Sequence, residues 1–315
     1  MKKFFKSLML ISVCLGLSAT VNAKTFRYAT TGDILGLDPH ANNEGPTNTM
    51  KGNIYGRMLH RKADLSLEPD LATKWEKLDA NTWRFSLRRG VKFHNGNDFN
   101  ADDVLFSYKR QTQEASDMSF ALATIKQINK VDDYTVDLIT KGPDPILLLN
   151  MPMFYIVDKE WIEANNAFEV VRASGSTNFA NVNTNGTGPF KVVEWIQDTR
   201  IVLEPFEGYW GKNQIQHNLT KAVFTPISND ATRVAALLSG EIDLMYPVPL
   251  QDVKRLNNDP NTEALEGPEL RTIFLGYDQW RDESLDMPGS GKNPFKDKRV
   301  RQAFPVSYTH LRAHE

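Results

Sequence analysis

Asp102 and Asp103 stand side by side, and paired carboxylates are the first thing to weigh as acid–base machinery. Adjacent residues on a helix point apart, however, so the pair cannot share a proton or flank one bond. Both read as solvated acids in the first turn of a helix. His94 is the next candidate, as a metal ligand. A metal site needs several convergent ligands, and no second one stands near it in sequence, so it reads as a structural histidine. His310 and His314 lie four apart, the spacing of a helical metal pair. The chain has no Gly-x-Ser-x-Gly, no His-Glu-x-x-His, no Walker loop and no paired cysteines. Ser174-Gly175-Ser176 lacks the strand-to-helix setting of a nucleophile elbow and reads as a surface loop. Catalysis and a resident cofactor or metal are therefore not expected, and non-covalent recognition is what remains.

The elements that would position such recognition are legible in the pattern. In Thr82 to Arg110, TWRFSLRRGVKFHNGNDFNADDVLFSYKR, Trp83, Phe85 and Leu87 alternate with Arg84, Ser86 and Arg88, the period of a half-buried strand. Gly90 breaks the run, and Asn95-Gly96 supplies a tight turn. Asn100 is the expected N-cap of a helix that carries Val104, Leu105 and Tyr108 on one face.

A strand is expected at FRYAT after Thr25, and NIYGRML from Asn53 reads as a short helix or strand end. Asp132-Asp133 make a turn into a strand through Ile139, and NTNGTG at Asn183 is a loop followed by the strand PFKVVEW. Residues 222 to 246 read as strand, helix and strand, with Asp230 capping the helix and Gly240 ending it.

With 41% apolar and 24% charged residues, the 315-residue chain has the composition of a soluble globular protein with more than one core. Its first 23 residues differ. Lys2, Lys3 and Lys6 precede a short apolar run from Leu8 to Leu17, and Val21-Asn22-Ala23 fits a small-residue cleavage site. The run is too short to span a membrane, so a signal peptide cut between Ala23 and Lys24 is expected. Cys14, the sole cysteine, lies inside it, which leaves a mature chain without disulfides. That mature chain carries 34 basic and 39 acidic residues, a net charge of −5, with no basic block suited to nucleic acid or anionic membrane.

The stretch from Thr82 to Arg110 resembles the signature of the family 5 extracytoplasmic solute-binding proteins, the peptide, dipeptide and nickel receptors of ABC importers. The resemblance extends in order through LDPH at Leu37, PDLATKW at Pro69, GTGPF at Gly186, EGYWG at Glu207, RVAALLSGEIDL at Arg233 and FKDKRVRQAF at Phe295. It implies an α/β, periplasmic binding protein-like fold with two main lobes and an inserted domain. The implied division is 24–59 with 182–276 as a discontinuous first lobe, 60–181 as the insertion, and 277–304 as the start of a second lobe. From Pro305 the chain departs from the family, which continues as an apolar helix. Pro305 is expected to interrupt the helix begun at Arg299, and PVSYTHLRAHE resembles a translated adaptor, so 305–315 is read as a non-native tail on a truncated chain. The His310–His314 spacing loses its meaning there.

The resemblance also implies ligand contacts. Glu44-Gly45 would lie along a cleft wall, Phe120 would cover the ligand from the inserted domain, and Tyr246 would stand at the end of the strand–helix–strand unit, where open α/β sheets place ligands. Glu44 also reads as an exposed loop acid and Phe120 as a core aromatic, while Tyr246, an amphipathic aromatic at a strand end, suits a cleft. The implied protein is a monomeric periplasmic receptor that captures a peptide or peptide-like solute for an ABC permease. Nickel, haem or oligosaccharide binding on the same scaffold is the alternative, as is a sensory or chaperone-like role. A secreted hydrolase would need a titratable cluster in a cleft, and the sequence offers none.

Overall fold

The computed structural model describes residues 24–172, 177–213, 217–267 and 274–312, with side chains as far as Pro305. Ala23, Cys14, the rest of the leader, Ser174-Gly175-Ser176 and His314 lie outside the described residues, as does the side chain of His310. Two compact units divide between Ala264 and Leu265.

In the first unit the strands are β1 (Lys24–Thr30), β2 (Leu59–Arg61), β3 (Leu67–Pro69), β4 (Ala72–Lys77), β5 (Thr82–Leu87), β6 (Ile125–Asp132), β7 (Thr135–Thr140), β8 (Phe190–Ile196), β9 (Arg200–Pro205), β10 (Leu219–Pro226) and β11 (Leu244–Met245). The helices are α1 (Gly45–Ile54), α2 (Ala101–Gln111), α3 (Leu147–Asn150), α4 (Lys159–Ala164), α5 (Phe179–Val182), α6 (Asp230–Leu238) and α7 (Val253–Asn258).

Among the described residues the strands form a five-stranded sheet, β11-β1-β10-β9-β8, a four-stranded antiparallel sheet, β4-β5-β7-β6, and the hairpin β2-β3. In the larger sheet β1 runs parallel to both β10 and β11, so α6 is a crossover that carries the chain past β1. The sheet is discontinuous in sequence, because the strand following β1 within it is β8.

The signature stretch folds as strand, turn and helix. Phe85 and Leu87 enter the core of the smaller sheet together with Val136 and Leu138 of β7. On its opposite face Arg84 grips the directly opposed Asp137 through two hydrogen bonds of 2.8 Å. Gly96 has φ +96°, a conformation that an L side chain resists. Asn100 caps α2 in a reciprocal box: its side chain accepts from Asp102 N at 2.7 Å, and Asp103 accepts from Asn100 N at 2.9 Å.

Three local expectations are corrected. Asp103 is not a solvated acid; it is 1% exposed, because the start of α4 docks on it and Lys159 N donates to it at 3.0 Å. Asp102, the half-exposed neighbour, pairs with Lys130 at 2.9 Å. The cap of α6 is Asn229, which accepts from Thr232 N at 2.9 Å, while Asp230 occupies the first turn and pairs with the buried Arg233. Finally, the helix before NIYGRML begins earlier than the pattern suggests, at Gly45, and its end at Ile54 leads through Tyr55 into β2.

In the second unit Asn293 caps a 3-10 turn, Pro294–Lys296, and α8 (Lys298–Arg312) follows. Tyr277, Phe295 and Phe304 form a ring cluster with centroids 5.3–5.9 Å apart. Pro305 does not interrupt α8, contrary to expectation. A helical proline forfeits one backbone bond and costs roughly 3 kcal/mol; the residue before it, Phe304, packs against Tyr277 and Phe295.

Candidate ligand-binding site

The loop after β1 is fixed by a buried ion pair between two of the sequence landmarks. Asp38, from LDPH, takes two hydrogen bonds from Arg110 at the end of the signature stretch, at 2.8 and 2.5 Å, with both side chains 0% exposed. Burial alone would raise the Asp38 carboxyl, but the charge and hydrogen bonds of Arg110 outweigh it and hold the group below the usual carboxylate range. His40 completes the knot. Its Nδ1 accepts from Arg110 at 3.1 Å, so its Nε2–H donates to the Tyr155 carbonyl at 3.0 Å. Burial first, and the neighbouring guanidinium second, push its pKa down to about 3, which keeps the ring neutral.

This knot positions three of the four expected contact residues. Ser116 Oγ donates to His40 O at 2.7 Å and Asp117 N to Ala41 O at 3.2 Å, so the turn Ser119–Leu122 that carries Phe120 hangs from the same loop. Phe120 is 50% exposed, so it is not a core residue. Glu44 caps α1, with Oε1 accepting from Thr47 N at 3.0 Å, and Gly45 opens the helix at an exposed position. Partial burial raises the Glu44 carboxyl above its usual value. Thr47 Oγ1 in turn accepts from Leu35 N at 2.9 Å, which ties the start of α1 to the loop leaving β1.

Tyr246 is anchored separately. Its backbone N–H donates to Ala29 O at 3.0 Å, extending the β11–β1 pairing to the carboxyl end of the parallel strands, and its side chain is 56% exposed. Lys24, the other half of the expected cleavage site, is the first residue of β1.

A groove of about 370 Å³ is lined by residues that include Asn43, Asn48, Thr49, Arg57, Met118 and Tyr155; Glu44 and Phe120 are not among its lining residues. Lys51 is a residue that sequence reasoning missed here. It is 1% exposed, donates to the Asn42 carbonyl and to Asn48 Oδ1 at 3.3 Å, and burial lowers its pKa to about 8. The signal was available: Thr47, Met50, Lys51 and Ile54 form the buried stripe of α1, so a lysine occupies a core-facing position.

Two other groups of chemical residues have structural duties. His94 holds the GTGPF loop: its Nε2 bonds the Gly188 carbonyl at 3.0 Å, Gly186 N approaches Nδ1 at 3.4 Å, and burial depresses its pKa to about 4. Asp103, Asp158 and Glu160 have oxygens within 4.8 Å of one another, the spacing of a cation site. Asp158, however, already accepts from the side-chain amides of Asn95, Asn97 and Asn185 at 2.7–2.9 Å, and Asp103 from two backbone N–H groups. Burial raises the Asp103 pKa to about 7.

In this mixed α/β body Tyr246 stands at the carboxyl end of the parallel strands, where open α/β sheets place ligands, while Glu44, Gly45 and Phe120 are held together by the Asp38–Arg110 loop. The chain belongs to the bacterial extracellular solute-binding proteins, family 5: the model "Bacterial extracellular solute-binding proteins, family 5 Middle" matches residues 66–307. It is 31% identical to the dipeptide-binding protein of Escherichia coli over 92% of this chain and 55% of that relative. It is 29% identical to haem-binding protein A of Haemophilus influenzae, over 89% of this chain and 52% of the relative. A solved structure of the periplasmic binding protein DppA from Helicobacter pylori, in complex with a peptide, superimposes with TM-score 0.66 at 31% identity, over 76% of this chain and 49% of that one. The chain spans about half the length of the curated relatives it matches. These relatives are named as binding proteins, and no helix among the described residues is long and apolar enough to cross a membrane.

Proposed function

We propose that this protein is the solute-binding component of an ABC importer and that it captures a peptide or peptide-like solute in the periplasm for delivery to a membrane permease. The observation that carries this reading is the 31% identity to a dipeptide-binding protein across 92% of the chain. The match to a peptide-bound structure at TM-score 0.66 supports it. In this reading residues 1–23 are the export signal, cut between Ala23 and Lys24, and the protein acts as a monomer. Residues 24–59 and 182–276 form one lobe, 60–181 the insertion, and 277–304 the start of a second lobe.

Glu44, Gly45, Phe120 and Tyr246 are the ligand contacts. An exposed phenylalanine and an exposed tyrosine supply apolar surface that a bound solute would cover. Recognition of this kind reads a peptide through its main chain, which tolerates varied side chains. Binding and release are the whole task, and the reading assigns no bond-making step to the chain. The identity to haem-binding protein A favours haem as a second reading. Calorimetric titration of the intact protein with di-, tri- and tetrapeptides, with haem and with Ni²⁺ as separate arms, tests both. Saturable peptide binding supports the first reading; binding of haem alone replaces it with the second, and silence in all arms removes both.

A further inference from the structure

At the other end of α1 lies a second cleft, about 630 Å³ in volume, which the solute-binding reading does not use. Ten residues of helix put it roughly 15 Å from Glu44. It is assembled from landmarks distant in sequence: Arg57 after α1, Asp70 of PDLATKW, Arg88 of the signature stretch, Gly188 of the GTGPF loop, and Tyr209 and Trp210 of EGYWG. A volume of this size falls in the range of small-molecule sites, about 300–1,000 Å³.

The polar groups of this cleft are under-satisfied in one direction. Arg57 Nε and Trp210 Nε1 are buried N–H donors without an acceptor, whereas buried donors are ordinarily paired. Arg57 Nε stands 3.9 Å from Asp70 Oδ2, within ion-pair range but beyond a hydrogen bond. The same carboxylate oxygen accepts from the Arg57 backbone N at 3.1 Å. The Arg88 guanidinium lies 3.8 Å from the centre of the Trp210 ring, and its Nε donates to the Asp70 carbonyl at 2.9 Å. Arg57, whose Nη2 bonds His60 Nδ1 at 2.9 Å, Arg88 and Trp210 thus line one space with Tyr209, Pro69 and Pro189.

We propose that this cleft binds a small organic carboxylate with a flat apolar body, its oxygens accepting from Arg57, Arg88 and Trp210 Nε1. The body lies against Tyr209 and Pro189. Reaching the two buried donors takes a side-chain shift of the kind that commonly accompanies binding. A monoanion fits better than a phosphate dianion, because Asp70 and Glu68 also line the cleft and repel a second negative charge.

The test is calorimetry of the protein at neutral pH with benzoate, and with inorganic phosphate as the competing oxyanion. Trp210→Phe keeps the ring under Arg88 and removes the donor, so benzoate should bind about tenfold more weakly. Asp70→Asn keeps the shape and removes a negative charge, so benzoate should bind about fivefold more tightly, a gain that a merely structural role would not produce. Benzoate binding that moves in both directions, with phosphate weaker, supports the site. Absence of saturable benzoate binding, a variant that fails to move affinity as stated, or phosphate binding more tightly than benzoate overturns it. A Trp210→Phe protein that does not fold leaves the Asp70→Asn arm to decide.

Discussion

Replacing Arg110 with methionine keeps most of the side-chain volume and strands the Asp38 carboxylate in a site where both partners are 0% exposed. Removing one member of a buried pair typically costs about 3–5 kcal/mol, because the remaining charge is left without compensation. Two further acceptors lose their donor, the Ala167 carbonyl at 3.1 Å and His40 Nδ1 at 3.1 Å, which places the expected loss toward the upper part of that range. Domains have only about 5–15 kcal/mol to lose, so the effect is large. The sign of its pH dependence follows from Asp38. With Arg110 present the carboxyl is held low, so its contribution is present above the usual carboxylate pKa and is lost as pH falls through the folded value. Without Arg110, only the neighbouring His40, whose backbone N–H donates to Asp38 at 2.9 Å, opposes burial, so the carboxyl rises, and a raised group favours the fold at low pH and loses that benefit as pH rises. The gap between wild type and Arg110→Met should therefore shrink between neutral pH and about pH 4. Urea unfolding followed by tryptophan fluorescence measures it. The double change Asp38→Leu with Arg110→Met should lie closer to wild type than Arg110→Met alone, since a pair replaced by apolar groups leaves no stranded charge. A neutral-pH loss below about 1 kcal/mol, or a deficit that acid does not reduce, would refute the account of this pair as desolvated and mutually dependent.

Three further perturbations address the rest of the frame. A Cβ on Gly186 would stand 2.0 Å from the Ile54 carbonyl oxygen, so Gly186→Ala should cost about 3 kcal/mol or more, seen as a lower denaturation midpoint; an unchanged midpoint would mean the loop and α1 do not approach as described. His94, depressed to about 4 by burial, contributes stability that is present above its ordinary pKa and lost as pH falls from there toward about 4. The stability advantage of wild type over His94→Asn should therefore narrow by roughly 1 kcal/mol between neutral pH and about pH 5, and an advantage constant with pH would count against the neutral ring. Tyr246→Ala should weaken peptide binding while leaving the unfolding curve in place, given a side chain 56% exposed; equal affinity by calorimetry would take the residue out of the site.

What the sequence made legible was local chemistry. The Asn95-Gly96 turn and the Asn100 cap depend on neighbours within a few residues, and alternation along β5 and β7 reports which face meets the core. The start of α1 was hidden because GPTNTMKGNI is poor in strong helix formers, and its helix rests on Pro46 in the first turn, the Glu44 cap and burial of Met50 and Ile54. Asp103 was misjudged for a related reason. A first-turn acid is normally solvated, and only the docking of α4, which starts more than fifty residues later, buries it. The Asp38–Arg110 pair spans 72 residues, and no periodicity reports such a contact.

α1 links the GTGPF landmark at one end to Glu44 and the LDPH–signature ion pair at the other. At one end, His94 and the GTGPF loop lock onto the helix: Gly188 N donates to Ile54 O at 2.8 Å and Thr187 Oγ1 accepts from Gly56 N at 3.1 Å. At the other, Glu44 caps the helix and the Asp38–Arg110 knot fixes the loop that precedes it. A helix held at both ends lets scaffold residues set the position of Glu44, one of the proposed contacts, from a distance. Changes at His94 or Gly186 should therefore move stability first, and affinity only through the position of Glu44. Changes at Phe120 or Tyr246 should do the reverse, because their side chains are half exposed and the core does not depend on them.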